Sequence, residues 1–201
     1  MKIENNQVTL KGKIAGTFKF GHEFLGEKFY LVNVETLRTS GNADTVPVTV
    51  SEKLIDTTKD MTGENICVEG QFRSYNKDGK LILTVFADEI HLEESLDDDN
   101  NSIVLKGYVC KEPIYRETPL GREITDILLA VNRKYGRSDY IPCICWGRNA
   151  LFASGIEIGT KLRVEGRIQS RQYTKKLSDG VEEIRTAYEV SISRLEVLNE
   201  D

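Results

Sequence analysis

Apolar and polar residues alternate in short runs along the whole chain, and Gly, Asp and Asn separate the runs. A period of two predicts strands, because successive side chains of a strand point to opposite faces. In the first half the runs fall at residues 8–14, 29–37, 45–50, 66–74 and 81–86. In the second half they fall at 103–109, 124–132, 140–146, 161–170 and 187–197. Gly-bearing turns between alternating runs suit antiparallel strands. One short helix is predicted between the third and fourth strand of each half, over residues 52–59 and 148–155.

The two halves are one unit written twice. VTLKG at 8–12 returns as IVLKG at 103–107, a shift of 95. The same shift carries Leu25-Gly26 onto Leu120-Gly121, Arg38 onto Arg133, and Val46-Pro47 onto Ile141-Pro142. VEG at 68–70 recurs at 164–166, a shift of 96. A domain-sized period is a duplication and not a solenoid. Five strands with a helix after the third is the plan of a small Greek-key barrel, the OB fold. The fold class expected is therefore all-β, two tandem five-stranded OB barrels with one short helix each. The domains expected are residues 1–94, an acidic linker at 95–101, and residues 102–198. The linker region, EESLDDDNN at 93–101, has three consecutive aspartates with no further ligands nearby, so it reads as a solvated connection and not as a metal site.

The strand YIPCICWGR at 140–148 holds the most suggestive chemistry. Ile141, Cys143 and Cys145 share one face, suited to a core. Tyr140, Pro142, Ile144 and Trp146, the single tryptophan, share the other. Arg133, Lys134 and Tyr135 precede it, and Arg171, Gln172 and Tyr173 follow. Aromatics interleaved with fixed cations are what single-stranded nucleic acid needs, because every base offers a π-face and the backbone needs neutralising charge. An ordinary sandwich strand with one surface aromatic is the competing reading.

Charge separates the halves. The net charge is −5, but residues 102–195 hold 16 Lys and Arg against 11 Asp and Glu, while residues 1–95 hold 11 against 15. Only the second half is a candidate for phosphate contact. The four cysteines form no C-x-x-C pair, so they read as reduced, buried thiols, with no metal and no cofactor expected. No run of 18 apolar residues predicts a membrane span, and the polar N-terminus lacks a secretory signal. The location expected is cytoplasmic, in association with the nucleoid. His22 and His91 are isolated, and no phosphate-binding loop, H-E-x-x-H or G-x-S-x-G occurs, so catalysis is not expected.

The second half, from the KEP-x-x-R-x-T-P-x-G turn through LAVNR and CICWGR to VEGR-x-x-R-x-Y, resembles the bacterial single-stranded DNA-binding protein family over residues 101–198. The resemblance implies an OB fold, sequence-independent binding of single-stranded DNA in replication, recombination or repair, and oligomeric assembly. It implies base stacking on Tyr135, Tyr140, Trp146 and Tyr173, and phosphate contacts from Lys106, Arg116, Arg133, Lys134, Arg148, Arg167 and Arg171.

The first half resembles the family only through the repeat. Ser40, Thr45 and Ser51 stand where Tyr135, Tyr140 and Trp146 would be, and only Tyr75, beside Arg73, matches Tyr173. Its aromatics Phe18, Phe20, Phe24 and Tyr30 read as core or interface packing before a relocated site. The family's flexible tail with an acidic, hydrophobic tip has no counterpart in the closing LEVLNED, which puts tail-mediated recruitment of replication proteins in doubt. A primosome- or phage-type accessory protein, with the first barrel as a protein-interaction module, is the alternative. A homodimer would bring four barrels together, with the first strands, residues 8–14 and 103–109, as contacts. Alternatively, the two copies satisfy each other inside one chain.

Overall fold

A computed structural model describes residues 5–96, 101–177 and 180–199, and the backbone alone of Tyr135. The aspartates at 97–99 lie outside the described residues. The first half forms β1 (Asn6–Phe24), β2 (Glu27–Leu37), β3 (Ala43–Ser51), β4 (Asn65–Lys77) and β5 (Lys80–Leu92). The second forms β6 (Asn101–Val109), β7 (Ile114–Glu117), β8 (Glu123–Asn132), β9 (Ser138–Trp146), helix α1 (Arg148–Ser154), β10 (Lys161–Lys176) and β11 (Glu182–Val197).

Each half closes on itself. In the first, β1 pairs with β2 and β4, β2 with β3, and β3 with β5, which returns to β4. In the second, β6, β8, β9, β11 and β10 follow the same circuit. Both are five-stranded OB barrels. The closing pairs, β3–β5 and β9–β11, run parallel, where the turn pattern had suggested antiparallel strands throughout. The cores repeat with the sequence. Leu10, Val34, Ile66, Phe72 and Val85 are fully buried in one barrel, and Leu105, Leu129, Leu162, Ile168 and Val190 hold the same places in the other.

The VEG repeat has a steric cause. The β4–β5 and β10–β11 ladders both shift register at this motif, with Asp88 of β5 extra opposite Glu69-Gly70 and Ser193 of β11 extra opposite Glu165-Gly166. A Cβ on Gly70 would lie 2.1 Å from the Phe86 carbonyl oxygen, and one on Gly166 would lie 2.1 Å from that of Ser191. The backbone of the neighbouring strand occupies the space a side chain would need.

Three predicted elements differ. β1 continues ten residues past Ile14 as a long hairpin with β2, turned by Leu25 and Gly26, both at positive φ (51° and 77°). In the second half Pro113 cannot donate to a ladder, and the strand is interrupted between β6 and β7. The helix predicted over 52–59 is absent: the segment is a series of turns. Asp56 Oδ1 accepts from the N–H and hydroxyl of Thr58, and Asp60 Oδ1 does the same for Thr62 (2.6–3.1 Å), and such local bonds compete with helix formation. Over the equivalent stretch of the second half α1 forms, with Ala150 and Ala153 buried beneath it.

The barrels are joined by an antiparallel ladder between β1 and β6: Asn6 opposes Leu105, Val8 opposes Ile103, and Leu10 opposes Asn101. The first-strand edges, expected as contacts between two chains, are therefore paired within one. Two locks flank this ladder. Asp139, at the start of β9, accepts from the Ser74 backbone N–H of β4 (2.6 Å) and is held by Arg133. Asp44, at the start of β3, accepts from the Ser170 N–H of β10 (2.8 Å) and is held by Arg38. Ser74 and Ser170 hydroxyls in turn accept the N–H of Tyr140 and Thr45 (2.8 and 3.0 Å). No helix of the described residues is long and apolar enough to cross a membrane.

Candidate nucleic-acid interface

β9 divides as its alternation predicts. Ile141, Cys143 and Cys145 are buried in the barrel, while Tyr140 is 47% exposed and Trp146 is part-buried on the outer face. Ile144 shares that outer face but is buried, in register between Asp126 of β8 and Ser191 of β11. Burial raises the thiols: Cys145 is pushed up to about 12 and Cys143 well above its ordinary value.

Trp146 closes β9 opposite Ile124, and its indole Nε1–H donates to the Ser191 hydroxyl (3.2 Å). The ring stands between two hollows. One, of about 410 Å3, is lined by Arg38, Arg122, Arg167, Arg171, Gln169 and Ser191. The other, of about 510 Å3, lies toward the β7–β8 turn, with Glu117, Gly121, Arg122, Glu123 and Gly147. Four arginines thus line one hollow together with the single tryptophan.

These cations differ in how far they are committed. Arg122 has no ion-pair partner among the described residues. Arg171 lies 3.7 Å from Glu189, with its guanidinium 6.0 Å from the Tyr173 ring centroid. Glu189, nearly buried, accepts from Gln169 (2.7 Å). Arg167 donates to Asp44 (3.0 Å) and to Gln169 (3.3 Å). Burial, and then the nearby Arg38, lower the Arg167 pKa, with Asp44 opposing them.

Of the residues expected at the site, Trp146, Arg167 and Arg171 converge on the groove, and Tyr173 adjoins it through Arg171 at 39% exposure. Arg148 is exposed at the start of α1, next to Gly147 of the second hollow. Arg116 is exposed but held by both carboxylate oxygens of Asp126 (2.6 and 3.2 Å). Lys106 is half-buried opposite Arg163, away from the groove lining. Lys134 lies at the junction, in a hollow of about 560 Å3 that it shares with Arg73, Glu69, Asp88 and Glu89. The expectation at Tyr135 falls on a side chain outside the described set.

Arg133, expected at the site, is engaged at the junction between the barrels. It donates to both oxygens of Asp139 and to the Ser74 carbonyl (2.9 Å), a structural clasp between barrels, and its bond to Asp139 raises its pKa. Arg38 and Arg122 were missed by sequence reasoning. Arg122 had a local signal, its place beside the Leu120-Gly121 turn. Arg38 had none that links it to Trp146, because its position depends on how the barrels dock.

In the first barrel Ser51 stands in place of Trp146, and its hydroxyl bonds to Glu27. Aromatics instead occupy the neighbouring strands: Phe29 and Phe86 pack at 5.6 Å, His22 stacks on Phe29 at 4.9 Å, and the Arg73 guanidinium lies 3.9 Å over Phe86. Phe18 and Tyr30 pack against the core as expected, whereas Phe20 and Phe24 are 60% and 64% exposed on the long hairpin.

Residues 100–198 match the family described as "Single-strand binding protein family". Single-stranded DNA-binding protein 2 of Listeria innocua is 37% identical over 87 residues, covering 40% of this chain and 54% of that protein. Single-stranded DNA-binding protein A of Bacillus subtilis is 36% identical over 80 residues, covering 36% and 46%. The chain spans about half the length of the curated relatives it matches. The crystal structure of a deletion mutant of the single-stranded DNA binding protein from Thermus aquaticus superposes with a TM-score of 0.72 at 26% identity, covering 98% of this chain and 95% of that one. That similarity extends through both barrels.

Proposed function

We propose that this chain, whose residues 100–198 match the single-strand binding protein family, binds single-stranded DNA with little sequence preference, chiefly at the groove beside Trp146. The observation that carries this reading is the part-exposed indole bordered by Arg38, Arg122, Arg167 and Arg171. A base stacked on such a ring contributes about 1–3 kcal/mol whatever its identity. Arginine contacts to phosphate release counterions, which makes affinity fall as salt rises. Tyr140 and Tyr173 offer further rings along the same face, and Arg148 further charge. A role in replication, recombination or repair follows from binding of this kind.

Titration of the full chain with oligo-dT, read by Trp146 fluorescence, tests the proposal. Quenching that weakens with added salt is the expected result. An unchanged signal at low salt would refute it.

A second reading concerns the first barrel as a protein-interaction module, as in a primosome- or phage-type accessory protein. The tip of its long hairpin exposes Phe20, Phe24 and Leu25, the last 90% exposed, without a surplus of cations. A homodimer would gather four barrels, and because β1 and β6 are paired with each other it would use another surface. Light scattering distinguishes a mass near 22.7 kDa from about twice that value.

A further inference from the structure

We infer that Arg38, a residue of the first barrel, contacts the backbone of DNA bound on the second, so that the groove beside Trp146 is a site shared by both copies. This inference rests on the single-stranded DNA reading above.

The argument is one of broken symmetry. The two locks between the barrels occupy equivalent positions, yet their charges differ. On one side Arg133 alone faces Asp139, and it also caps the Ser74 carbonyl. The residue equivalent to Arg167 on that side is Gln71, and the nearby Arg73 is offset by Asp88, which Gln71 also contacts, so two cations meet two anions. On the other side Asp44, 1% exposed, is shared by two guanidinium groups: Arg38 through Nε (2.7 Å) and Nη2 (2.5 Å), and Arg167 through Nη1 (3.0 Å). Asp44 also accepts the Ser170 N–H. One buried carboxylate cannot neutralise two arginines, and a full positive charge is left over on the side where Trp146 stands.

Arg38 can offer a further donor to a ligand while it holds Asp44. Its side chain is 25% exposed and lines the groove, and its Nη1 makes no hydrogen bond among the described residues. Arg167 shares Asp44 with Arg38, and burial first and then Arg38 lower its pKa. A phosphate between the two would relieve that repulsion and complete the fork geometry of a guanidinium, which suits phosphate oxygens. The class of ligand is a phosphodiester backbone and not a base edge, so the effect should be independent of sequence.

The test is the salt dependence of oligo-dT binding by the full chain, read by Trp146 fluorescence. Loss of one phosphate contact lowers the slope of log affinity against log salt by about 0.7. Arg38→Gln, which keeps an N–H donor for Asp44, is expected to show that loss, and Arg38→Lys to retain most of the slope. Arg133→Gln makes the equivalent lesion in the other lock and is expected to leave the slope unchanged. If Arg38→Gln does not fold, Arg38→Lys carries the test through its affinity. A several-fold weakening by Arg38→Lys at low salt, absent from the matching Arg133→Lys, supports the contact, and equal affinities overturn it. Arg38→Gln with a wild-type slope, or Arg38→Gln and Arg133→Gln with equal slopes, would show that Arg38 serves only the junction. A wild-type chain that leaves oligo-dT unbound would instead overturn the DNA reading, and this inference with it.

Discussion

Val8 and Ile103 face each other across the β1–β6 ladder, and each is the other's counterpart in the repeat. Exchanging the copies therefore maps the ladder onto itself: the pair Asn6–Leu105 becomes Asn101–Leu10. The Asp44–Ser170 and Asp139–Ser74 locks exchange in the same way. The two barrels are related by an internal two-fold arrangement, the self-complementary geometry of the commonest protein dimers, contained in one polypeptide.

A first prediction follows for the separated halves. Residues 101–201 alone would leave the β6 edge unpaired, and an open strand edge is a template for another strand. The fragment is expected to self-associate at micromolar concentration by light scattering and to bind oligo-dT more tightly than residues 1–94. A strictly monomeric 101–201 fragment, or equal affinities, would contradict this account.

Trp146→Ala is expected to weaken oligo-dT binding by about 1–3 kcal/mol while leaving the fold intact. The indole lies on the outer face and its one recorded hydrogen bond is to a serine hydroxyl, so the barrel core does not depend on it. Because the substitution removes the fluorophore, binding is measured by anisotropy of labelled DNA. Loss of the folded state in circular dichroism would place the ring in the core.

Gly166→Ala should destabilise the chain by about 1–3 kcal/mol, the usual cost of overpacking, because the added carbon meets a backbone oxygen that cannot rotate away. Gly70→Ala should behave alike in the first barrel. Urea denaturation measures both, and stability equal to wild type would mean the bulge opens without penalty.

The buried thiol gives a pH signature. The unfolded chain loses the Cys145 proton near the ordinary 9.0, whereas the folded chain keeps it up to about 12. Over that interval the unfolded state binds fewer protons, so stability falls as pH rises, and below it the contribution is constant. Urea midpoints taken at intervals from pH 8 to pH 11 should fall less steeply for Cys145→Ala than for wild type. Parallel slopes would show that the thiol does not contribute.

Much of this architecture was legible in the residues. Alternation identified the strands and the inward face of Ile141, Cys143 and Cys145, because period two leaves a direct mark on sequence. VTLKG and VEG exposed the duplication, and in VEG the conserved spacing reflects a glycine that a neighbouring backbone requires. What could not be read depended on competition or docking. Thr58 and Thr62 diverted the first helix into turns through bonds to Asp56 and Asp60. The fates of Arg133, spent on Asp139, and of Arg38, placed beside Trp146, were set only when the barrels met. A charged residue in a strand pattern carries no sign of which neighbour will claim it.

The covalent joining of two equivalent barrels also changes what a single substitution can do. In a pair of identical chains every replacement enters twice, once on each side of the axis, so a charge useful at one junction is imposed on the other. Here Gln71 and Arg167 hold equivalent positions with different side chains. One junction can stay neutral and serve cohesion while the other accumulates charge. Such a chain has two unlike junctions, which two identical halves related by a dyad could never acquire.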